Sequence, residues 1–338
     1  MPVNHQAYRR GAVRRFILWA VIVAGLCAMA ACAVILPGTN RKVGPVKAKQ
    51  VQGNTLNIAH RGARSLAPEN TLAAAEKGLE AGADLWELDV RLTADKELIV
   101  LHDDTLVRTS NVETKFPDRE PWNTSDFTLS EIKTLDFGSW FHENDPFGQI
   151  AAGEVSAPDL RSYVGVEAPS LREALEWTRR HNWKVNIELK NLQGQAGEDE
   201  FVERVVAIVQ KLGMEEDVMI SSFKHEYLVR VKEADSAIPT GVLTSRAIDN
   251  PVAYVRSLGA NSYNPSSRAI AASKIAAIRD AGIDVFVYTV NEEAQLVKFL
   301  NASATGVFTD FPQRLSQIID QRTDTSGTIS SGSTFEGR

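Results

Sequence analysis

Glu87 and Asp89 stand two residues apart inside the apolar run Leu85-Trp86-Glu87-Leu88-Asp89-Val90. On a strand that spacing sends both carboxylates to one face and Leu88 to the other. Two like charges buried without a partner are costly, so the pair asks for a cation. Ile187-Glu188-Leu189-Lys190 adds a third carboxylate, with Lys190 on the same strand face. No thiolate joins them, because both cysteines of the chain, Cys27 and Cys32, lie in its N-terminal apolar stretch. That also excludes a disulfide framework and a cysteine nucleophile in the body. Oxygen ligands alone suit a hard divalent cation, Mg²⁺ or Ca²⁺. His60 and His102 sit at strand ends beside these charges, whereas His142, His181 and His225 fall in contexts of ordinary surface or core histidines.

The elements that must position these groups are short and regular. Strand-like runs occur at 56–60, 85–90, 98–102, 185–189, 218–222, 240–243, 260–263, 285–289 and 306–309. Amphipathic helical patterns lie between many of them, at 71–80, 171–180, 200–212 and 273–281. Such alternation predicts parallel β/α units. Eight units close a TIM (β/α)8 barrel, and enzymes of that fold keep their sites at the carboxyl ends of the strands. With nine candidate strands, one of the two weak runs at 240–243 and 260–263 is expected to fall outside the ring. One connection is far longer than the others, the 68 residues from Asp103 to Ser170. Its seven Phe and Trp residues are too many for a solvated loop, so an insert after the third strand is expected over about 104–170, packed on itself and over one barrel face.

Charge divides the chain unevenly. Residues 1–50 hold eight Lys or Arg and no acid, leaving 29 basic and 43 acidic residues beyond them, a net charge of −14. So acidic a body repels polyanions, and no nucleic-acid partner is expected. An anionic substrate must then find positive charge locally. Arg9, Arg10, Arg14 and Arg15, in a basic cytoplasmic flank at 1–15, precede 21 uncharged residues at 16–36. A helix of that length roughly spans a ~30 Å hydrocarbon core. The run is therefore expected to act as a transmembrane anchor, placing the body on the non-cytoplasmic side, periplasmic or extracellular. Met29-Ala30-Ala31-Cys32 resembles a lipoprotein cleavage site, and the small residues around Ala28 also allow a cleaved secretory peptide. Residues 37–55 form a linker, the barrel is expected over 56–317, and 318–338 are expected to be a disordered tail rich in Ser, Thr and Gly.

Taken in order, the motifs resemble one family. They are His60-Arg61-Gly62, Ala67-Pro68-Glu69-Asn70-Thr71, Glu87-Leu88-Asp89-Val90, His102-Asp103, Leu135-Asp136-x-Gly138-Ser139-Trp140-Phe141, Pro169-Ser170-Leu171, Ile187-Glu188-Leu189-Lys190, Ser221-Ser222-Phe223 and Thr309-Asp310-x-Pro312. Any one is weak, but their common order over about 56–317 closely resembles the glycerophosphodiester phosphodiesterases. The resemblance implies a TIM barrel, a divalent metal, and hydrolysis of small glycerophosphodiesters to sn-glycerol 3-phosphate and an alcohol. It makes Glu87, Asp89 and Glu188 the metal ligands and His60 and His102 the general acid–base pair. Arg61 and Lys190 become phosphate-neutralising residues, and Glu69 belongs to the Pro-Glu-Asn motif of the first loop. One position departs from the pattern: before Thr289-Val290-Asn291 the family usually has Trp, and here stands Tyr288.

Two other functions remain open at this level. One is a lysophospholipase D acting on larger lipids at the same site, which the apolar leader and the aromatic insert permit. The other is a non-catalytic, membrane-anchored binding module, against which the intact set of His60, His102, Glu87, Asp89 and Glu188 counts. The nucleophile is either water or the substrate's own glycerol 2-hydroxyl.

Overall fold

The computed structural model describes residues 55–330. The apolar run at 16–36 lies outside them. Among the described residues no helix is long and apolar enough to cross a membrane.

Nine strands form: β1 (Leu56–Ala59), β2 (Leu85–Leu92), β3 (Leu98–Val100), β4 (Lys184–Leu189), β5 (Val218–Ser222), β6 (Thr240–Thr244), β7 (Ser262–Pro265), β8 (Asp284–Val287) and β9 (Gly306–Thr309). Eight of them pair in parallel, and β1 bonds to both β2 and β9, so the sheet closes into a barrel. The ninth strand is not the one expected. Runs 240–243 and 260–263 both enter the ring, as β6 and β7. It is β3 that stands outside, antiparallel to the far end of β2 with Val90 opposite Val100 and Leu92 opposite Leu98. Only residues 93–97 separate the two strands, enough for a hairpin and too few for the crossover that parallel pairing needs. The insert thus follows the third strand in sequence but the second strand of the barrel.

Alternation along the strands sorts the interior from the exterior. Trp86, Leu88 and Val90 point outward, into an apolar layer shared with the helix Leu171–Arg180 and the helix Glu198–Leu212. Ile58, Leu85, Phe286 and Phe308 point inward and plug the barrel. Burying each such side chain stabilises the fold by about 1.5–3 kcal/mol. Above this plug the inward positions turn polar, at Glu87, Asp89, Asn186 and Glu188.

Two of the sequence motifs prove to be scaffolding. Ser170 caps the helix Leu171–Arg180 by a reciprocal box with Glu173. Asp136 accepts the backbone N–H groups of Gly138 (2.8 Å) and Ser139 (3.0 Å). A Cβ on Gly138 would sit 1.6 Å from the Tyr163 carbonyl oxygen, so no side chain fits there. The insert holds two small cores. Leu106, Phe127, Leu135 and Phe137 pack on Ile99 of β3, while Phe141, Val155 and Tyr163 pack on Ala67 and Ala74 beside the first loop. It packs on itself as expected, and Phe147 reaches Phe311, beyond the carboxyl end of β9, at 5.7 Å.

The last helix, Pro312–Ser330, takes in the first part of the tail. Leu315 and Ile318 are buried against the barrel, and Asn57 donates to the Pro312 carbonyl and to Ser316 Oγ, both at 2.9 Å. Docking of one apolar face supplies what the polar composition lacks. Residues 331–338 lie outside the described part.

Candidate active site

The parallel ladder between β2 and β4 sets Asp89 opposite Glu188 and Glu87 opposite Asn186. Partners in a ladder share a face, so all three carboxylates enter the barrel at adjacent levels. One oxygen from each lies within 4.8 Å of the others. Glu87 Oε1 and Asp89 Oδ1 are buried with no hydrogen-bond partner. Burial and the nearby Asp89 and Glu188 carboxylates push the Glu87 pKa well above the usual carboxylate range. Glu188 is also raised, by burial and by Asp89, against the pull of Lys190. For Asp89 burial works the same way, but Lys190, Arg61 and Asn70 outweigh it and hold that carboxylate ionised. Lys190 Nζ lies 2.7 Å from Glu188 Oε1 and 3.4 Å from Asp89 Oδ1.

The turn after β1 wraps around this cluster. Arg61 has φ 55° and Gly62 φ 78°, a left-handed pair that costs strain at the arginine. The turn directs the Arg61 backbone N–H onto Glu87 Oε2 at 2.8 Å. The Arg61 side chain donates to Glu69 Oε1 at 2.8 Å and lies 3.3 Å from Asp89 Oδ2. A Cβ on Gly62 would meet the Ala74 carbonyl carbon at 2.5 Å, so helix α1 (Leu72–Glu80) can close on the turn only if that residue is glycine. Asn70 clamps Asp89 twice, donating from Nδ2 to Oδ2 at 2.8 Å and accepting the Asp89 backbone N–H at 3.2 Å.

The two histidines are each held by a carboxylate. His60 Nδ1 lies 2.6 Å from Asp310 Oδ1, and Nε2 lies 3.9 Å from Glu87 Oε2. Asp310 is fixed in turn by Asn291, which donates to Oδ2 at 2.7 Å and accepts the Asp310 N–H at 3.0 Å. Burial lowers the His60 pKa despite Asp310. His102 Nδ1 lies 2.6 Å from Asp103 Oδ1, two residues beyond the end of β3. In both, the carboxylate accepts a hydrogen bond from Nδ1–H and leaves Nε2 as the working nitrogen.

These groups open on one cavity of about 170 Å³, lined by His60, Arg61, Glu87, His102, Glu188 and Lys190 on its polar side. Phe223, Leu243, Tyr288 and Phe308 form the apolar side. Tyr288 meets Phe223 edge to face at 5.8 Å, and its hydroxyl is buried without a partner. No residue of 104–170 lines this cavity. The larger pocket of about 240 Å³ between α1 and the insert contains none of these groups. His181 stacks on Trp177, and His225 bonds Tyr254 and the Leu243 carbonyl, both apart from the carboxylates.

Of the nine candidate residues, the structure brings eight together around the carboxylates and the cavity; Glu69 lies farther out as the hub of an arginine cluster. Arg61, Arg64 and Arg108 each reach it within 3.0 Å. Burial opposes its charge, but the three guanidinium groups bring its pKa down to about 2. Arg64, Arg108 and Asn291 were not singled out from the sequence. Their signal is slight: Arg108 follows His102-Asp103 by five residues, and Asn291 ends the quoted Thr289-Val290-Asn291 segment.

A closed parallel barrel with acids, imidazoles and cations at the carboxyl ends of its strands is the architecture of a TIM-barrel enzyme. The chain matches the Glycerophosphoryl diester phosphodiesterase family over residues 60–314, and it belongs to that family. It is 33% identical over 278 residues to a glycerophosphodiester phosphodiesterase of Bacillus subtilis, covering 78% of this chain and 86% of the relative. A glycerophosphodiester phosphodiesterase of Caldanaerobacter subterraneus is 32% identical, with coverage of 78% and 98%. Among solved structures, a phosphodiesterase of Oleispira antarctica in complex with the product sn-glycerol-3-phosphate superposes with a TM-score of 0.65 at 27% identity, covering 79% of this chain and 97% of that one.

Glu69 yields a stability prediction. Its folded pKa of about 2 lies below the ordinary 4.5, so its stabilisation is complete above pH 4.5 and is lost as pH falls toward 2. Glu69→Gln leaves three guanidinium groups around a neutral amide and should cost about 3–5 kcal/mol at pH 7. Denaturant titrations should show the gap from wild type shrinking between pH 4.5 and 2; a gap independent of pH would refute the assignment.

Proposed function

We propose that the chain hydrolyses glycerophosphodiesters to sn-glycerol 3-phosphate and an alcohol, using a divalent cation, Mg²⁺ or Ca²⁺. The observation that carries this is the buried triad Glu87, Asp89 and Glu188, two of whose members, Glu87 and Glu188, share one cavity with His60 and His102. The residues fit a hard cation: every donor is an oxygen, two of those oxygens lack hydrogen-bond partners, and the raised pKa values of Glu87 and Glu188 mark repulsion that a cation would relieve. When bound, such an ion neutralises phosphate oxygens and stabilises the charge of the transition state. Arg61 and Lys190, already oriented by Asp89 and Glu188, add fixed positive charge for the same oxygens.

The proton traffic falls to the histidines. As the nucleophile's oxygen bonds to phosphorus, one Nε2 takes its proton. As the P–O bond to the alcohol breaks, the other Nε2 gives a proton to the departing oxygen. Asp310 and Asp103 hold both rings in the needed tautomer. The nucleophile is water, or the glycerol 2-hydroxyl by way of a cyclic phosphate. Tyr288 and Phe223 form the apolar wall against the substrate. The cavity has no insert residue in its lining, and we read its substrate as a small headgroup diester.

Chelation should abolish release of glycerol 3-phosphate, and Mg²⁺ or Ca²⁺ should restore it. Full turnover by metal-stripped protein in excess chelator would sink the cation. His60→Ala and His102→Ala should each lower kcat by about 10²-fold or more with thermal stability kept. Near-wild-type kcat in either variant removes that histidine from proton transfer.

For the leader we keep the sequence reading: residues 16–36 anchor the enzyme and hold the barrel outside the cytoplasm, near the lipids whose deacylation supplies its substrates. A reporter fused after residue 338 should then score as external, and a protein lacking residues 1–36 should be soluble and active. A cytoplasmic reporter, or a full-length chain that fractionates as soluble, overturns the anchor.

A further inference from the structure

We propose that Arg108 is a positioning residue that holds His102 for proton transfer, and that through it the insert acts on a cavity it does not line. The proposal rests on the role given to His102 above. Arg108 lies at the start of the insert and its guanidinium joins two carboxylates. Nε donates to Asp103 Oδ2 at 2.5 Å, while Nη1 and Nη2 donate to Glu69 at 3.0 and 2.6 Å. The other oxygen of Asp103 accepts the hydrogen bond of His102 Nδ1–H at 2.6 Å. Glu69 is immobilised in the barrel by Arg61 and Arg64. The order of contacts is therefore barrel loop, Glu69, Arg108, Asp103, His102. Trp140 of the insert closes the arrangement, its ring 6.0 Å from the Arg108 guanidinium carbon.

The two histidines differ in what holds their carboxylates. Asp310, behind His60, is nearly buried and has Asn291 and Arg64 as further partners. The Asp103 side chain is 26% exposed and has His102 and Arg108 as its ion-pair partners; His102 itself is 32% exposed. Without Arg108 the carboxylate is free to turn, and the imidazole has open space to follow it. Glu69, by contrast, would keep two arginines, so Arg61 would stay in place for the phosphate. Loss of Arg108 should thus appear in the chemical step rather than in substrate binding. A misplacement of about 1 Å costs on the order of 10²-fold in rate.

The test replaces Arg108 by Ala and, with the charge kept but the fork lost, by Lys. With a glycerophosphodiester that the wild type turns over, Arg108→Ala should lower kcat about 10- to 100-fold while KM changes less than about threefold. Guanidinium ion at tens of millimolar should restore part of that loss, with no gain in wild type. Arg108→Lys should fold with wild-type thermal stability and fall between the two. In an Asp103→Asn background, adding Arg108→Ala should cost little more, because both act through one ring. An activity-independent readout is the hydrogen-bonded Nδ1 proton of His102, assigned by its absence in His102→Ala; its NMR signal should be sharp in wild type and lost in Arg108→Ala. Unchanged kcat and an unchanged proton signal overturn the proposal, as does a loss that guanidinium does not repair and that adds fully to Asp103→Asn. Failure of the wild type to cleave any glycerophosphodiester would refute the proposed reaction, while the proton signal would still decide the role of Arg108.

Discussion

Asp89 and Glu188 meet across the β2–β4 ladder with Glu87 one position below, so the barrel buries three carboxylates within 4.8 Å. Removing charges from water costs several kcal/mol for each ion, and mutual repulsion adds to that. Much of the surrounding structure answers this cost. Lys190 follows Glu188 by two residues, just past the end of β4. The strained turn at Arg61 brings both a backbone N–H and a guanidinium to the cluster. Asn70, also at positive φ, clamps Asp89 at the same oxygen that Arg61 approaches. The first βα loop is thus shaped by the charges on the neighbouring strand, and the glycine at 62 is required because α1 must close over that shape.

Seen this way, the ordered motifs divide into two kinds. Some carry reacting or charge-bearing groups: the His-Arg-Gly turn, the Glu-Leu-Asp strand, His102-Asp103 and Glu188-Leu189-Lys190. Others build the frame, such as the Ser170 cap, the Asp136 turn with its obligatory glycine, and Ser222, whose hydroxyl donates to the Leu189 carbonyl at 2.7 Å. Thr309-Asp310 belongs to both, since it ends a barrel strand and holds His60.

The barrel and the carboxylate triad were legible because alternation is local: one strand's sequence tells which side chains share a face. Partnership between strands is not local. The apolar run at 98–102 has the composition of a ring strand, and only the five-residue link to β2 betrays an antiparallel hairpin. The weak runs at 240–243 and 260–263 enter the ring because their neighbours bury them, which propensity does not record. The C-terminal helix was hidden for the same reason, its polar composition outweighing the few apolar residues that dock. Arg64 and Arg108 escaped notice because an arginine in a loop is ordinary until Glu69, 39 residues before Arg108, is seen between them.

The hairpin that removes β3 from the ring also decides how the site can deform. Leu101 donates its backbone N–H to the Asp89 carbonyl at 2.9 Å, so the segment bearing His102 is welded to the strand bearing Glu87 and Asp89. Twisting or breathing of the cylinder carries that ribbon as one body. His60 rides instead on β1, joined to β2 in register only at Ile58–Leu85 and Ala59–Trp86. The distance between the two imidazoles therefore depends on this short seam and on the side chains that cross it, Arg61 to Glu87 and Asp89, and Glu69 through Arg108 to Asp103.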